Sequence, residues 1–157
     1  MQLIAKLQSA FPQFTFSPAA KPYWSSATQT IFFEDAQTQE ALWNAMHELA
    51  HALLGHTNYQ LDIELVRKEA EAWDYAVALA ANYLETPISA SHIQDSLDTY
   101  RDWAYRRSTC PRCGAAGLQL DTKQYSCLNC AAEWLVSSAR FCRTYRSRAP
   151  LGTPKTK

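Results

Sequence analysis

Glycine, methionine and long apolar stretches are all scarce in this sequence. Only 4 of its 157 residues are glycine and 2 are methionine. The scarcity of glycine excludes a collagen-like chain. No stretch approaches the roughly 18 consecutive apolar residues of a transmembrane helix, so we expect no membrane partner. Because 47% of the residues are hydrophobic, the chain nevertheless has enough apolar side chains to fill a globular core.

Two further absences bear on the cellular compartment. The first eight residues, MQLIAKLQ, lack a continuous apolar core with a small-residue cleavage site, so we expect a cytoplasmic protein without an export signal. Cysteine is missing from the first 109 residues, and the five that exist lie at positions 110, 113, 127, 130 and 142. An odd number crowded into the last third favours metal binding in a reducing compartment over a disulfide framework.

The chain as a whole also lacks an excess of charge of one sign, but its basic and acidic residues are unevenly distributed along the sequence. Residues 1–100 carry 4 basic and 12 acidic side chains, whereas residues 101–157 carry 11 basic and 3 acidic ones. A basic C-terminal third beside an acidic remainder indicates two parts with different partners, the basic one suited to an anion such as nucleic acid.

The hydrophobic patterning predicts an α+β fold. Residues 14–33 are rich in aromatic and β-branched side chains with period-2 alternation, which predicts two or three antiparallel strands. Apolar residues at spacings of three and four predict one helix over 38–54, with Gly55 as its stop signal. Further helices are predicted over 61–84 and from 91 to about 107.

The first of these helices contains the motif His47-Glu48-Leu-Ala-His51. Residues four apart lie on one face of a helix, so His47 and His51 can present two imidazoles to one zinc ion. Glu48 is rotated by about 100° beside them, where it can act as the catalytic base on a bound water. We therefore expect a catalytic zinc site.

A catalytic zinc needs a third protein ligand, and the second helix offers several carboxylates. Glu64 and Glu71 share a face, and Glu71 is flanked by small residues that would let two helices approach closely. We choose Glu71 and expect Glu64 and Glu69 to belong to a solvated face. His56 and His92 are the remaining candidates, one just beyond Gly55 and the other near the start of the third helix.

These residues resemble the ImmA/IrrE metallopeptidases, which cleave repressors in phage-related and stress-response switches. The resemblance covers about residues 14–107. It lies in the segment HELAHALLGH and in a Glu-Ala-x-x-aromatic-Ala pattern about twenty residues later. It implies that His47, His51 and Glu71 bind zinc and that Glu48 is the general base. This chain departs from the family at Trp73-Asp74, where an Asn-x pair is usual.

The C-terminal cysteines form two CxxC pairs, Cys110/Cys113 and Cys127/Cys130. Four thiolates supply a closed tetrahedral site, and the strand-like residues between the pairs predict a zinc ribbon around a structural zinc. We therefore expect two zinc ions per chain, one catalytic and one structural. Cys142 has no partner in sequence and is expected to be a free thiol.

Arginine alternates with aromatic residues after the second pair. Arg140, Arg143 and Arg146 are accompanied by Phe141 and Tyr145, a combination that suits phosphate contacts and base stacking. We treat these arginines as candidate nucleic-acid ligands. A solvated tail, or one that docks on the acidic part of the chain, is the alternative.

The sequence therefore predicts a small antiparallel sheet packed on the HExxH helix and two further helices, followed by a zinc ribbon. The predicted domains are a metallopeptidase domain over 1–107, the ribbon over 108–136 and a basic, partly disordered tail over 137–157. The predicted function is zinc-dependent hydrolysis of a regulatory protein or peptide, which an edge strand at 28–33 could bind by β-augmentation. Two rivals remain: an SprT-like DNA-associated protease, which needs a downstream His, and a non-catalytic regulator that binds nucleic acid through the ribbon.

Overall fold

The computed structural model describes residues 2–139 and 146–148. Over these residues the helices and the short strands form separate runs along the chain, which confirms the α+β class. The helices are α1 (Gln2–Ala10), α2 (Gln39–Leu53), α3 (Asp62–Ala80) and α4 (Ala90–Ser108). The strands are β1 (Thr15–Pro18), β2 (Tyr23–Ser25), β3 (Thr30–Phe33), β4 (Leu118–Gln119), β5 (Gln124–Ser126), β6 (Glu133–Val136) and β7 (Arg146–Arg148). The short opening segment thus adds a helix to the three that were predicted.

The chain divides into two compact units. The histidine unit comprises residues 1–58 and 67–97, and the cysteine unit comprises residues 59–66 and 98–157. This division differs from the predicted boundary after residue 107, because the second half of α4 belongs with the cysteines. None of the helices in the described part of the chain is both long and apolar enough to span a membrane.

The sheet of the histidine unit has the order β1-β3-β2. β2 pairs with β3 in antiparallel fashion, as predicted, but β1 and β3 are parallel, with Phe16 opposite Ile31. Pro18 and Pro22 lie at the ends of the outer strands, where a missing N–H removes no bond from the centre of the ladder. The prediction that residues 28–33 form an edge strand is wrong, because β3 is the central strand of this sheet and is paired on both sides.

α2 packs against β2 and β3. It begins where Thr38 Oγ1 accepts a hydrogen bond from the Ala41 N–H at 3.2 Å, which satisfies a donor at the helix start. It ends in a Schellman motif, with Gly55 at φ +66° and the His56 N–H donating to the His51 carbonyl at 3.0 Å. The helix predicted over 38–54 is thereby confirmed.

The core of the histidine unit is continuous and large. Its fully buried members include Leu7 from α1, Ile31 from β3, and Met46 and Leu49 from α2. α3 contributes a buried stripe at helical spacing, made of Glu69, Ala72, Trp73, Ala76 and Ala80. A carboxylate therefore lies within an otherwise apolar stripe.

The cysteine unit has a smaller core, formed around a sheet of order β4-β5-β6-β7. Trp134 is fully buried, stacks on Tyr125 and donates through its indole N–H to the Arg107 carbonyl at 2.9 Å. A Cβ on Gly117 would lie 2.2 Å from the Trp134 ring, so only glycine fits there. Arg107 and Tyr125 both donate to the buried carboxylate of Asp62, each at 2.5 Å.

Candidate metal centres

His47 and His51 converge as the helical spacing predicts. Both are buried on α2, and their Nε2 atoms lie 3.0 Å apart with the two rings edge to face. Neither ring reaches solvent freely, so both nitrogens face a common point inside the histidine unit. Two imidazole nitrogens aimed at one point are the beginning of a metal site.

Glu69 of α3 completes this group. Its Oε2 lies 3.1 Å from His47 Nε2 and 3.5 Å from His51 Nε2, and the residue is 5% exposed. The two histidines and Glu69 therefore form a group that can hold a metal ion. We call it the His/Glu group.

The structure does not bring Glu71 into this group, which corrects the expectation from the sequence. Two residues along a helix correspond to a rotation of about 200°, so Glu71 lies away from the stripe that contains Glu69. Its side chain is 51% exposed and lies 3.5 Å from His56 Nε2 and 3.6 Å from Arg67 Nε. The expected solvated position of Glu69 is likewise wrong.

The spacing of the three atoms fits a small metal ion with tetrahedral coordination. With metal–ligand bonds of about 2.0–2.1 Å, the ligand atoms of a tetrahedral zinc lie about 3.3 Å apart, and the three observed separations are 3.0, 3.1 and 3.5 Å. Two imidazoles and one carboxylate form the donor set of many catalytic zinc sites. Three protein ligands leave a coordination position for water or substrate.

The electrostatics of the group favour metal binding. Burial lowers the pKa of His47 to about 4, so its imidazole is neutral near pH 7 and its nitrogen lone pair is available. Burial alone would raise the pKa of Glu69. Hydrogen bonds with His47 and His51 outweigh this effect and hold that pKa well below its usual range. A neutral imidazole and an ionised carboxylate are the forms that bind metals.

His47 is held by stacking. Its ring lies 4.1 Å from the Trp73 ring at an interplanar angle of 21°. Its Nδ1 is buried without a hydrogen-bond partner in the described part of the protein. Trp73 therefore fixes the ring plane, while Nε2 supplies the polar contact with the group.

His51 is held by a second histidine. Its Nδ1 lies 2.9 Å from Nδ1 of His56, and the His56 side chain is only 10% exposed. The Schellman turn at Gly55 brings His56 back towards the helix that it follows. His56 therefore contacts a member of the His/Glu group without belonging to it.

Glu48 and His92 take different places. Glu48 is half-buried on α2, directly after His47. His92 lies on α4, where its Nε2 is 3.0 Å from Asn44 Oδ1 and its ring packs near Trp43 and Trp73. It is not a member of the His/Glu group, so the geometry does not support the downstream His that an SprT-like site requires.

The four cysteines form the second candidate centre. The Sγ atoms of Cys110 and Cys130 are 3.7 Å apart, and those of Cys113 and Cys127 are 3.5 Å apart. Four thiolates around a zinc with bonds of about 2.3 Å have an S···S spacing of about 3.8 Å. The group, which we call the cysteine cluster, can therefore hold a metal ion with no open position.

The two CxxC turns have the same backbone construction. In each, the N–H of the fifth residue donates to the carbonyl of the first cysteine: Gly114 to Cys110 at 3.0 Å and Ala131 to Cys127 at 2.9 Å. Both donor residues have positive φ, +75° for Gly114 and +53° for Ala131. The side-chain amide of Asn129 contributes most to lowering the pKa of the Cys113 thiol, to about 6, which favours the thiolate.

Of the arginines proposed to bind nucleic acid, Arg140 and Arg143 lie outside the described residues, as does Cys142. Arg146 is the first residue of β7 and pairs with Val136 of β6. The predicted tail over 137–157 therefore contains at least one strand. No surface for nucleic acid can be assigned from this segment.

No protein-family model, curated protein or solved structure matches this chain. The likeness to ImmA/IrrE peptidases rests on the HExxH segment and the Glu-Ala pattern alone.

Proposed function

We propose that this chain is a zinc-dependent metallopeptidase that hydrolyses peptide bonds at the His/Glu group. One observation carries the proposal: His47 Nε2, His51 Nε2 and Glu69 Oε2 converge within 3.0–3.5 Å of one another, with Glu48 next to His47 on the same helix. A group that only holds a metal for stability has no use for a glutamate placed directly after one of its ligands. That combination is typical of hydrolases.

The zinc-binding residues are His47, His51 and Glu69. A zinc ion held by them would supply Lewis-acid chemistry, which would lower the pKa of a bound water to about 7 and polarise the scissile carbonyl. The buried, apolar surroundings of the group exclude bulk water and strengthen these electrostatic effects.

Glu48 is proposed to move the proton. Its position one residue after His47 rotates it by about 100° around α2, beside the ligand face without competing for it. In this position its carboxylate takes a proton from the attacking water and delivers it to the leaving amine, as a general base and then a general acid. Glu69 cannot share this role, because its carboxylate is the proposed third zinc ligand.

The proposed substrate is a regulatory protein, such as a DNA-binding repressor. The support is the resemblance of His47–His56 and of the Glu-Ala pattern to the ImmA/IrrE peptidases. We assign the third ligand to Glu69, which lies two residues before that pattern and, like Glu71, precedes an alanine.

The cysteine cluster is proposed to hold a structural zinc in a zinc ribbon, which gives two zinc ions per chain and fits a cytoplasmic, reducing location. The support is the match between its S···S distances and tetrahedral thiolate coordination. A site closed by four thiolates has no position for a substrate, so this zinc has no catalytic part.

A second candidate is a non-catalytic regulator that binds nucleic acid through the cysteine unit. The observation that favours it is charge, since residues 101–157 contain 11 basic and 3 acidic side chains. In that case the His/Glu group would sense a metal rather than use it. Glu48 argues for the enzyme, because a sensing site has no need of a base.

Glu48→Gln distinguishes the two functions. The zinc-loaded variant is expected to keep both zinc ions and to lose hydrolysis of a mixture of fluorescence-quenched peptides by at least about 100-fold, the scale of a missing general base. Glu40→Gln, at an exposed position in the first turn of the same helix, is the matched control and should keep wild-type activity. Wild-type turnover in Glu48→Gln would remove the proposed base. A zinc-loaded wild type that binds DNA but cleaves none of these peptides would favour the regulator.

A further inference from the structure

His51 and His56 are joined through the nitrogens that face away from the His/Glu group. The 2.9 Å distance between their two Nδ1 atoms is that of an N–H···N hydrogen bond. One of these nitrogens must therefore carry the proton and the other must accept it. Which one does so decides whether His51 can bind a metal.

His51 can bind a metal through Nε2 only if Nδ1 carries its proton, because a neutral imidazole has one N–H and one lone pair. If His56 were the donor, the proton of His51 would lie on Nε2 and block the group. The partner on the far side of His56 therefore matters.

Glu71 occupies that far side. Its Oε2 lies 3.5 Å from Nε2 of His56, so the carboxylate favours a proton on that nitrogen. A neutral His56 with its proton on Nε2 has a lone pair on Nδ1, which then accepts from His51. The charge of Glu71 thus selects, through two imidazole rings, the tautomer of His51 that leaves Nε2 open.

Hydrogen bonds hold the backbone of residues 56–58. The His56 carbonyl accepts a hydrogen bond from the Trp24 indole at 3.0 Å, and the Lys68 ammonium donates to the carbonyls of Thr57 and Asn58 at 3.2 and 2.9 Å. These contacts, together with the Schellman turn at Gly55, fix the segment that carries His56.

We propose that His56 and Glu71 are positioning residues, which orient His51 and set its tautomer so that Nε2 points at the metal. This inference rests on the proposed zinc site. It gives Glu71 an indirect role, in which the carboxylate acts on His51 through His56 and does not bind the metal. It also separates the two histidine ligands: His51 is held by a hydrogen-bonded relay, and His47 by stacking on Trp73.

The test combines zinc affinity with a direct probe of the hydrogen bond. In the full-length protein, zinc at the His/Glu group is titrated against a competing chelator while the cysteine cluster stays loaded. His56→Phe keeps a ring but cannot accept the hydrogen bond, and should weaken this zinc about 10–100-fold, the usual effect of losing such an outer partner. Glu71→Gln removes only the charge and should weaken it less. Arg67→Gln, which alters the other contact of Glu71, is the control and should leave the affinity unchanged.

The spectroscopic probe is a ¹⁵N–¹⁵N coupling across the hydrogen bond between the two Nδ1 atoms, with the proton on His51. The coupling is measured with the His/Glu group free of zinc, because zinc at Nε2 would by itself place the proton on Nδ1, whereas a purely structural role for His56 would not require this proton position. Observation of the coupling in wild type and its loss in His56→Phe are expected. A proton on His56 Nδ1, or unchanged zinc affinity in both folded variants, would overturn the relay. Glu71→Gln keeps the test open if His56→Phe does not fold, because the Glu71 side chain is half-exposed. A wild type that holds zinc only in the cysteine cluster would instead overturn the proposed function, and the coupling would still report on the relay.

Discussion

The His/Glu group and the cysteine cluster can each hold a metal ion, but they differ in their ligand atoms and in the elements that supply them. The first takes three nitrogen and oxygen ligands from two long helices and leaves one position open. The second takes four sulfur ligands from two short turns and leaves none. On the proposed assignment, a metal in the first group could exchange water or substrate at its open position, whereas a metal in the closed second group could not.

The hydrophobic cores of the two units differ in whether they include the candidate metal ligands. The histidine unit has fully buried apolar residues from three elements, including Leu7, Ile31 and Leu49, and none of these is a ligand. In the cysteine unit, two of the five buried core residues are the ligands Cys110 and Cys127. We therefore expect the core of the cysteine unit to depend on a bound metal, and the core of the histidine unit not to.

The largest effect should come from removing one ligand on each side of this comparison. Cys127→Ser is expected to unfold the cysteine unit, because an apparent zinc-binding free energy of about 10–16 kcal/mol contributes directly to the folding of such small sites. His51→Ala should lose the metal of its group but keep the histidine unit folded on its apolar core. Hydrogen exchange of each variant in the presence of excess zinc, measured residue by residue, separates the two outcomes.

Equal protection of both units in Cys127→Ser would contradict the dependence of the cysteine unit on its metal. Global unfolding of His51→Ala would show instead that the His/Glu group is also structural.

A much smaller effect should distinguish the two CxxC turns from each other. Both need a residue at positive φ, but one has glycine and the other has Ala131 at φ +53°. Ala131→Gly relieves a left-handed strain of about 1–2 kcal/mol, partly offset by the greater chain entropy of glycine, so we expect a gain of about 1 kcal/mol in the free energy of unfolding.

Gly114→Ala is the reverse substitution at the equivalent position of the other CxxC turn. No atom lies within 4 Å of the added Cβ, so backbone strain alone should cost about 1 kcal/mol. Chemical denaturation of the zinc-loaded variants measures both changes. Shifts of the same sign in the two variants would show that the two turns are not equivalent.

Local patterns predicted the elements that depend on local chemistry. The HExxH helix, its stop at Gly55 and the paired cysteines were predicted from spacing alone, because each is governed by neighbours within about five residues. The parallel pairing of β1 with β3 was not predicted, since strand order depends on how the chain crosses the sheet and not on alternation within a strand.

The choice of Glu71 over Glu69 failed for a reason that the sequence contains. The segment Glu69-Ala-Glu71-Ala offers two glutamates followed by alanine, but only Glu71 fits the full Glu-Ala-x-x-aromatic-Ala pattern, which favoured the wrong one. The buried stripe decides between them, because Ala72, Trp73 and Ala76 lie three, four and seven residues after Glu69. Helical periodicity over the whole of α3 would have placed Glu69 on the inner face.

Other contacts had no local signal. The contact of His56 with His51 depends on the Schellman turn at Gly55, which brings the His56 ring back towards α2. The buried pair of Asp62 and Arg107 joins residues 45 positions apart. Such pairings follow from tertiary packing and cannot be derived from the spacing of residues along the chain.

The central claim is that Glu69, together with His47 and His51, holds an exchangeable zinc that is separate from the cysteine cluster. Zinc content per chain tests it most directly, measured with excess zinc followed by gel filtration in wild type, Glu69→Gln and Glu71→Gln. The account predicts about two zinc ions in wild type and Glu71→Gln and about one in Glu69→Gln, because only Glu69 is a ligand. Two zinc ions in Glu69→Gln together with one in Glu71→Gln would contradict it.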